Sequence, residues 1–481
     1  MVGGALLDGG HTVRLLDAEC RHMSIPAIVR EAQRFRPDLV MTGHAGSTPA
    51  HPTCVSMLRA IKEGCPEAIT VYGGVYPSYH AEQILAAEPA VDIIARGEGE
   101  ATAVALATAT SSEKLGSVSG ISFRDGGKII SMPSRPPVEK LDAFRTGWEL
   151  IQDWDAYRCF GLGRAAIVQF SRGCPHKCTY CGQHEFWVRW RHRDPVKLAD
   201  EIEWLGRTHG VRFLTLADEN PTTRRDVWMK LLEEIAFRDL GMYFFATIRA
   251  TDIVRDADLL PLYRKAGILY VLMGVESTSD DVLRQVRKGS TTRHDHQACQ
   301  LIKRNGIFSV VGHIVGLRDE TSATFRTAGQ QLAHYDGDWL NAMYVTPHDW
   351  TPFGRGAAGR PIVEPDLRKW DYRHQVLAQP FMTRTALFAR VKWLELRFHL
   401  RPRRIMQILR ERDSFRRQQQ LWTLLHAGMV WIAEVIEFIL SLAHPIRHST
   451  ADDANVKKNP VAAEPASQAV RQPLKVLQDV A

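Results

Sequence analysis

The segment SRGCPHKCTYCGQ, residues 171–183, places three cysteines in one short loop directly after an apolar, β-rich run, AAIVQFS at 165–171. Cys174, Cys178 and Cys181 follow a C-x3-C-x2-C spacing. Three thiolates from one loop can bind three irons of a [4Fe-4S] cluster and leave the fourth iron without a protein ligand. The spacing therefore predicts a catalytic cluster with one iron open to another molecule.

A structural zinc site is the alternative that the same residues leave open. His176 or His184 could supply a fourth ligand, although closed zinc sites usually combine one C-x2-4-C pair with a second, distant pair of ligands. The remaining cysteines are isolated and are predicted to pack as small apolar side chains. They are Cys20, Cys54, Cys65, Cys159 and Cys299.

The composition is that of a globular protein. Of 481 residues, 45% are hydrophobic and 24% charged, which excludes a multispanning membrane protein and a disordered chain. Eight cysteines are too few for a disulfide-built secreted scaffold. The first residues, MVGGALLDGGHTVRLLDAE, lack the basic and apolar regions of a signal peptide. These features together predict a cytoplasmic protein.

Before the cysteine loop, short apolar runs alternate with helical patterns, which predicts a parallel, doubly wound, Rossmann-like α/β domain over residues 1–140. Residues 1–8 have the pattern of the end of a helix, so the strand expected before that helix is missing and the sequence looks short for this fold. Ligands bind such sheets at the carboxyl ends of the strands. The predicted strands are TVRLLDA (12–18), DLVMTGH (38–44), TVYGGVYPS (70–78) and VDIIARGEGE (91–100).

A Pro-rich linker, MPSRPPVEK at 132–140, precedes a second β/α pattern over residues 141–365. Six strands with intervening helices predict a partial (β/α)6 barrel with its chemistry at the carboxyl ends of the strands. The predicted strands begin near residues 165, 211, 242, 269, 309 and 339. A helical C-terminal region is predicted at 366–445, followed by a polar, disordered tail at 446–481.

Three further stretches occur where later barrel strands end: LADEN (216–220), GVES (274–277) and GHIVGLRDE (312–320). With the cysteine loop, in this order and at barrel spacing, they resemble the radical S-adenosylmethionine (SAM) enzymes. The resemblance implies that the open iron chelates the amino and carboxylate groups of SAM. It also implies a set of SAM-pocket residues: Tyr180 near the adenine, Asp218 and Glu219 for the amino group, Glu276 for the ribose, and Gly312, Gly316 and Glu320 along the adenine.

The chemistry implied by this resemblance starts with an electron. One-electron reduction of the cluster releases methionine and a 5′-deoxyadenosyl radical that abstracts unactivated hydrogens. The protein positions the reacting groups and excludes water, while the cofactor carries the difficult chemistry. A low-potential electron donor such as ferredoxin or flavodoxin is implied as a partner.

The N-terminal domain resembles the cobalamin (B12)-binding domain of B12-dependent radical SAM enzymes. GHAGSTPAH (43–51) follows one strand and YGGV (72–75) follows the next. The resemblance places the hydroxyls of Ser47 and Thr48 against the corrin, and Gly73 and Gly74 where the backbone must approach a flat ligand. A Rossmann-like domain with another ligand remains the alternative.

The cobalt ligand is left open by the sequence. In many cobalamin proteins a histidine in a D-x-H-x-x-G loop binds cobalt, and this loop would follow the first strand, which is missing here. His44 and His51 are not assigned to cobalt in its place. A loop histidine is more often a hydrogen-bonding or surface residue.

Longer runs resemble the anaerobic magnesium-protoporphyrin IX monomethyl ester cyclases of bacteriochlorophyll synthesis, over roughly residues 1–415. The resemblance implies a magnesium-porphyrin substrate and closure of its isocyclic ring, with the keto oxygen taken from water. A B12-dependent radical methyltransferase of another tetrapyrrole or a lipid, and a non-catalytic cobalamin or porphyrin carrier, remain alternatives. The runs include TGHAGSTPAHP (42–52), YGGVYPSYH (72–80), RGEGEAT (96–102), LADENPTT (216–223) and NAMYVTPHDWTPFG (341–354).

A flat porphyrin needs an aromatic cavity with few polar anchors. Arg189, Arg191 and Arg193 are candidate partners for the free propionate, although a solvated basic face is the favoured interpretation. Candidates for the cavity wall or the magnesium, each of which could equally be packing, are Phe186, Trp187, Trp190, Tyr344, His348, Trp350 and Phe353.

The C-terminal region joins a basic stretch to an apolar one. Residues 401–417 contain seven arginines, and LWTLLHAGMVWIAEVIEFILSLA at 421–443 has transmembrane length. The polar residues of the apolar stretch fall on one helical stripe, which favours an amphipathic helix on protein or at a membrane surface over a spanning one. A core-packed helix and a peripheral membrane contact stay equal alternatives, and no motif indicates nucleic acid binding.

Overall fold

The computed structural model describes residues 1–44, 48–109, 112–183 and 185–443. Within them the chain forms two compact units that meet in sequence at Arg401 and Pro402. The predicted disordered tail lies outside the described residues.

The N-terminal part of the first unit is an α/β domain around one sheet. Its strands are β1 (Leu39–His44), β2 (Ile69–Gly74), β3 (Ile93–Ala95), β4 (Ile121–Asp125) and β5 (Lys128–Ser131), in the spatial order β1-β2-β3-β4-β5. Its helices are α1 (Val2–Asp8), α2 (Ile25–Phe35), α3 (Ala50–Gly64), α4 (Val75–Tyr79), α5 (Ala81–Ala87), α6 (Gly99–Thr108) and α7 (Ser112–Leu115). β1, β2 and β3 run parallel, so their carboxyl ends share one edge as predicted.

The prediction of a strand at 12–18 is wrong, and the structure contains a hairpin that was not predicted. Residues 12–18 form no strand, because β1 is the edge of the described sheet and a segment without a neighbour has no hydrogen-bond ladder. The antiparallel hairpin of β4 and β5 was not predicted. Its turn has Gly126 and Gly127 at φ values of +53° and +81°, a conformation that favours glycine, so Asp-Gly-Gly was an available signal.

The barrel follows the predicted (β/α)6 pattern. Its strands are β6 (Arg164–Val168), β9 (Val211–Leu216), β10 (Tyr243–Thr247), β11 (Ile268–Glu276), β12 (Phe308–Val315) and β13 (Trp339–Tyr344), and a small pair, β7 (Ser171–Arg172) and β8 (Arg191–His192), lies between the first two in sequence. The six strands form one open parallel sheet in the order β13-β12-β11-β10-β9-β6. The fold prediction of a partial barrel is therefore confirmed.

Helices connect and follow the strands of this sheet. They are α8 (Pro195–His209), α9 (Arg225–Arg238), α10 (Ala250–Arg255), α11 (Leu260–Lys265), α12 (Asp280–Gln285), α13 (Thr292–Arg304), α14 (Ser322–Tyr335), α15 (Pro352–Gly356) and α16 (Arg384–His399). α8 shows how local sequence sets such boundaries. Asp194 accepts the N–H groups of Val196 and Lys197, and Gly210 ends the helix in the left-handed conformation.

The predicted C-terminal region is divided by the structure. α16 packs against α14 and β13 and belongs to the first compact unit. The second unit contains α17 (Pro402–Arg410) and α18 (Ser414–Ala443). The predicted domain boundaries at residues 140, 365 and 445 stay predictions.

α18 is long and apolar enough, over Ser414–Leu442, to cross a membrane, and only 6% of its most apolar window is buried. This exposure disfavours the alternative of a core-packed helix, because many apolar side chains of α18 face solvent. The exposed apolar residues are Leu421, Leu425, Met429, Val430, Ile432, Ile436, Ile439, Leu440 and Leu442.

Candidate active site

The cysteine loop begins where β6 ends and is closed at its base by a short hairpin. Ser171 and Arg172 on β7 pair with His192 and Arg191 on β8. Gly173 has a φ of +89°, and a Cβ there would lie 2.6 Å from the carbonyl oxygen of Arg189. Only glycine therefore lets the chain turn between this hairpin and the first cysteine.

The three thiols fit a cluster in their chemistry. Cys178 is buried and Cys174 and Cys181 are half-buried, and burial raises the pKa of Cys174 and raises the pKa of Cys181 to about 12. Such thiols become thiolates when metal binding displaces their protons. Among the described residues, no three His, Cys, Asp or Glu side chains are grouped to hold a single metal ion. In a cubane, by contrast, each thiolate binds a different iron.

Two buried carboxylates of the LADEN segment hold the backbone of this loop. Asp218 accepts the N–H of Phe170 at 3.0 Å, and it also accepts the N–H and hydroxyl of Ser171. Burial raises the pKa of Asp218 to about 7, against the effect of these hydrogen bonds. Glu219 accepts the N–H of Gly173 at 3.0 Å, and burial raises its pKa. The prediction that the two carboxylates bind the SAM amino group stays a prediction, and the structure shows that they position the loop.

Tyr180 and Glu276 lie close together, and their predicted contacts with SAM stay predictions. Burial and the Glu276 carboxylate raise the pKa of the Tyr180 hydroxyl, and Lys288 Nζ donates to Glu276 Oε1 at 2.7 Å with both side chains buried. Glu276 has a φ of +58°, a conformation found mainly where function or packing demands it. A Cβ at Gly274 would lie 2.0 Å from Glu276 Oε1, so that glycine leaves space for the carboxylate.

The predicted adenine strand contains Gly312, which pairs in register with Gly274 of β11. Gly316 has a φ of +96° and donates its N–H to Glu320 Oε1 at 3.2 Å. Glu320 also accepts the hydroxyl of Thr324 at 2.6 Å. Glu320 therefore stabilises the turn after β12, and its predicted place in the SAM pocket stays a prediction.

Two cations near the cluster loop were not found from the sequence. Arg249 follows β10, and its Nη1 lies 3.9 Å from the sulfur of Cys178. Lys288 follows α12 and pairs with Glu276. No local motif marks either residue, because each acquires its role from side chains more than ten positions away.

Several buried polar atoms on or after the barrel strands have no hydrogen-bond partner among the described residues. Buried polar groups are normally hydrogen-bonded. These atoms fit a ligand with carboxylate, amine and hydroxyl groups, such as SAM. They are Asn220 Nδ2, Arg249 Nε, Thr278 Oγ1, Ser290 Oγ, His313 Nδ1 and Thr346 Oγ1.

The predicted cobalamin face lies at the carboxyl ends of β1 and β2. Thr48 is buried, and its hydroxyl lies 3.0 Å from His348 Nδ1. Gly73 pairs with Gly43 and Ala95 in the sheet, and Gly74 has a φ of +108°, which favours glycine. Ser47 lies outside the described residues.

A cavity of about 280 Å³ separates these strand ends from the loop that follows β13. Tyr76 and His80 line it on the N-terminal side, and His348 and Trp350 line it on the barrel side. Trp350 donates its indole N–H to the carbonyl of Gly182, next to Cys181. Burial lowers the pKa of His348 to about 4, so its imidazole is neutral. The cavity therefore lies between the predicted cobalamin face and a loop that contacts the cluster loop through Trp350.

The prediction that Arg189, Arg191 and Arg193 form a solvent-exposed basic face is wrong for two of the three. Arg191 and Arg193 are buried and paired with carboxylates, whereas Arg189 is half-exposed and pairs with Glu139. Among the predicted wall residues, Phe186 and Trp350 pack together with Val75.

Comparison with known proteins matches two family models to the chain. The radical SAM superfamily model matches residues 168–332, and the B12 binding domain model matches residues 1–107. The chain is 42% identical over 438 residues to an anaerobic magnesium-protoporphyrin IX monomethyl ester cyclase from Synechocystis, covering 91% of this chain and 88% of that protein. It is 34% identical to the protein of the same name from Rubrivivax gelatinosus, covering 81% and 71%.

A solved structure supports the architecture. The radical SAM methyltransferase TsrM from Kitasatospora setae, with cobalamin and a [4Fe-4S] cluster bound, superposes with a TM-score of 0.64 over 82% of this chain and 84% of that one. The sequence identity is 16%, so this likeness is one of fold.

Proposed function

The chain belongs to the family of anaerobic magnesium-protoporphyrin IX monomethyl ester cyclases, and on that premise we propose that it closes the isocyclic ring of magnesium-protoporphyrin IX 13-monomethyl ester without dioxygen. It is a radical SAM oxidoreductase whose cofactors are a [4Fe-4S] cluster, SAM and cobalamin. The observation that carries the proposal is 42% identity over 91% of the chain.

The reaction oxidises the methyl-esterified propionate of ring C and joins it to the neighbouring meso carbon, giving divinyl protochlorophyllide with a keto oxygen from water. The bound cluster and SAM supply a carbon radical that abstracts hydrogen. Asp218 and Glu219 hold the cluster loop through its backbone. Glu276, paired with Lys288, places a buried carboxylate beside Tyr180. Buried aromatic side chains around Trp350 exclude water from the space between the two domains.

Anoxic turnover of the reconstituted protein tests this function. Purified enzyme with cluster and cobalamin is given the magnesium porphyrin ester, SAM and a low-potential reductant in ¹⁸O-labelled water. We expect divinyl protochlorophyllide carrying ¹⁸O in its keto group, together with 5′-deoxyadenosine, and no product from Cys181→Ala. A methylated porphyrin with S-adenosylhomocysteine would instead establish the methyltransferase alternative, and pigment binding without SAM cleavage would establish a carrier.

We propose ferredoxin or flavodoxin as the electron donor, on the basis of the chemistry of the cluster. Radical SAM clusters need a low-potential one-electron donor, and ferredoxin or flavodoxin supplies one. We expect either reduced protein to replace a chemical reductant in the assay above. Failure of both, with turnover retained on a chemical reductant, would reject this pairing.

We propose that the protein acts in the cytoplasm and that its second compact unit contacts a membrane surface. α18 exposes apolar side chains. Four arginines of the same unit, Arg403, Arg410, Arg412 and Arg417, are exposed and would attract anionic lipid. We expect the protein to float with vesicles containing phosphatidylglycerol and to bind neutral vesicles less. The paired substitution Leu425→Glu and Ile432→Glu should abolish flotation, whereas Phe237→Glu, at a barrel side chain that is 87% exposed, should not. Unchanged flotation of the paired variant would reject a contact through α18.

A further inference from the structure

Four charged side chains that the proposed reaction does not use lie buried between the N-terminal domain and the base of the cysteine loop. Glu98 and Glu100 lie at the start of α6, just after β3. Arg172 is on β7 and Arg191 on β8. Between 2% and 5% of each side chain is exposed. We refer to these four residues as the clasp.

The contacts within the clasp are directional. Arg191 donates through two nitrogens to the two carboxylate oxygens of Glu98, at 2.6 and 2.8 Å. Arg172 donates to Glu98 at 3.3 Å and to Glu100 at 2.7 Å. Two-pronged pairs of this kind constrain orientation as well as distance. The charges of the four side chains sum to zero, and the buried α-amino group of Met1 interacts with Glu100 and Arg172.

The clasp joins the two halves of the candidate site. Arg172 and Arg191 are register partners in the hairpin that closes the cysteine loop. Glu98 follows β3, whose carboxyl end lies at the same edge as those of β1 and β2. The backbone on either side of Arg172 is itself held by Asp218 and Glu219. A shift of the N-terminal sheet would therefore pull directly on the base of the cluster loop.

We propose that the clasp sets the separation between the cobalamin-binding edge of the N-terminal sheet and the cluster loop, and that Glu98, Glu100, Arg172 and Arg191 are positioning residues. The inference rests on the proposed function only in requiring both cofactors. Removing one partner of a buried pair leaves an uncompensated charge. The two domains then move apart so that water can reach this charge. The distance between the cluster and the cobalamin consequently varies from molecule to molecule.

A matched pair of variants separates positioning from simple destabilisation. Arg193 lies two residues after Arg191 and is equally buried, but it pairs with Asp142 and Glu201 rather than with the N-terminal sheet. Arg191→Gln and Arg193→Gln each remove one buried guanidinium. Only Arg191→Gln opens the clasp.

The measurement is the dipolar coupling between two electron spins in the anoxic holoenzyme, one on the reduced cluster and one on cob(II)alamin. This coupling varies with the inverse cube of distance and needs no porphyrin, so it is independent of the proposed substrate. We expect Arg191→Gln to broaden the distribution of this coupling or to lower its mean value. We expect Arg193→Gln to leave both as in the wild type. With porphyrin present, we also expect Arg191→Gln to raise the ratio of 5′-deoxyadenosine to cyclised product several-fold.

Three results would overturn the proposal. The first is a wild-type coupling and ratio in Arg191→Gln. The second is equal loss of coupling in Arg191→Gln and Arg193→Gln, because the effect would then be general. The milder variant Glu100→Gln keeps the pair of Glu98 and Arg191. If Arg191→Gln does not fold, the dipolar coupling measured in Glu100→Gln tests the proposal instead. We expect a smaller change in the same direction, and no change in Glu100→Gln is the third overturning result.

Discussion

At the scale of single residues, the cluster site depends on side chains that hold the cysteine loop by hydrogen bonds and do not themselves bind metal. Asp218 receives three donors from Phe170 and Ser171. Arg249 approaches the sulfur of Cys178. Hydrogen bonds to cluster sulfurs and to their supporting backbone tune both potential and assembly.

Arg249→Gln is expected to lower the midpoint potential of the cluster. The substitution removes a positive charge and a donor beside the Cys178 thiolate, which makes the added electron less favourable. An EPR-monitored redox titration measures the potential. Arg284→Gln removes the same charge from a side chain that is 71% exposed and should leave the potential unchanged. Identical potentials in wild type and Arg249→Gln would contradict the interpretation.

Asp218→Asn is expected to reduce the iron bound after reconstitution. Asparagine offers one acceptor oxygen where the carboxylate offers two, so a buried donor of the 170–171 backbone loses its partner at a cost of about 1–3 kcal/mol. Iron per protein and the visible absorption of the cluster report the loss. The control Asp200→Asn changes a side chain that is 61% exposed. Full iron content in Asp218→Asn would show that the loop holds its shape without this carboxylate.

At the scale of elements, periodicity and local signals account for most of what could be predicted. The helix Pro195–His209 is an example, because Asp194, Pro195 and Gly210 mark its two ends in the sequence. The predicted strand at 12–18 had a suitable composition but no neighbour. Strand formation is decided by a partner strand, which local sequence does not contain.

α13 contains a buried acid that makes stability depend on pH. Neither oxygen of Asp295 has a hydrogen-bond partner among the described residues, and burial raises its pKa from 3.8 to about 8. Between these values the folded chain keeps a proton that the unfolded chain has lost. The free energy of unfolding should therefore fall as pH rises through this window, by about 1.4 kcal/mol per pH unit.

Asp295→Asn should remove this contribution. Asparagine resembles the protonated acid, so denaturant midpoints between pH 5 and about 8 should fall less steeply with rising pH in the variant than in wild type. Asp281→Asn, at a side chain that is 77% exposed, should retain the wild-type slope. Equal slopes in wild type and Asp295→Asn would place the pKa of Asp295 in its ordinary range.

At the scale of the whole molecule, the site is assembled from residues far apart in the chain. Thr48 meets His348 across 300 positions, and His348 Nε2 lies 2.9 Å from the hydroxyl of Tyr372. This chain of contacts joins the predicted cobalamin face to the loop beside Gly182. Together with the clasp, it determines how the two domains face each other.

Thr48→Val should therefore destabilise the protein. The change preserves shape but leaves His348 Nδ1 buried without its partner, at an expected cost of about 1–3 kcal/mol in the free energy of unfolding. A double-mutant cycle with His348→Phe measures the coupling. We expect the double variant to be more stable than the sum of the two single effects. Strict additivity would mean that the two side chains do not interact.

The sequence alone determined the parts of this protein: the cysteine spacing, the six β/α units, the cobalamin-domain pattern and hence the family. Those features are local, since each is contained in a few consecutive residues or in a short repeat. The tertiary structure alone decided which charges are buried and what they bind. Arg191 looked like part of a solvated face, yet it meets Glu98 across 93 positions. A side chain's desolvation and ion partner depend on distant segments brought together by packing, which no local pattern encodes.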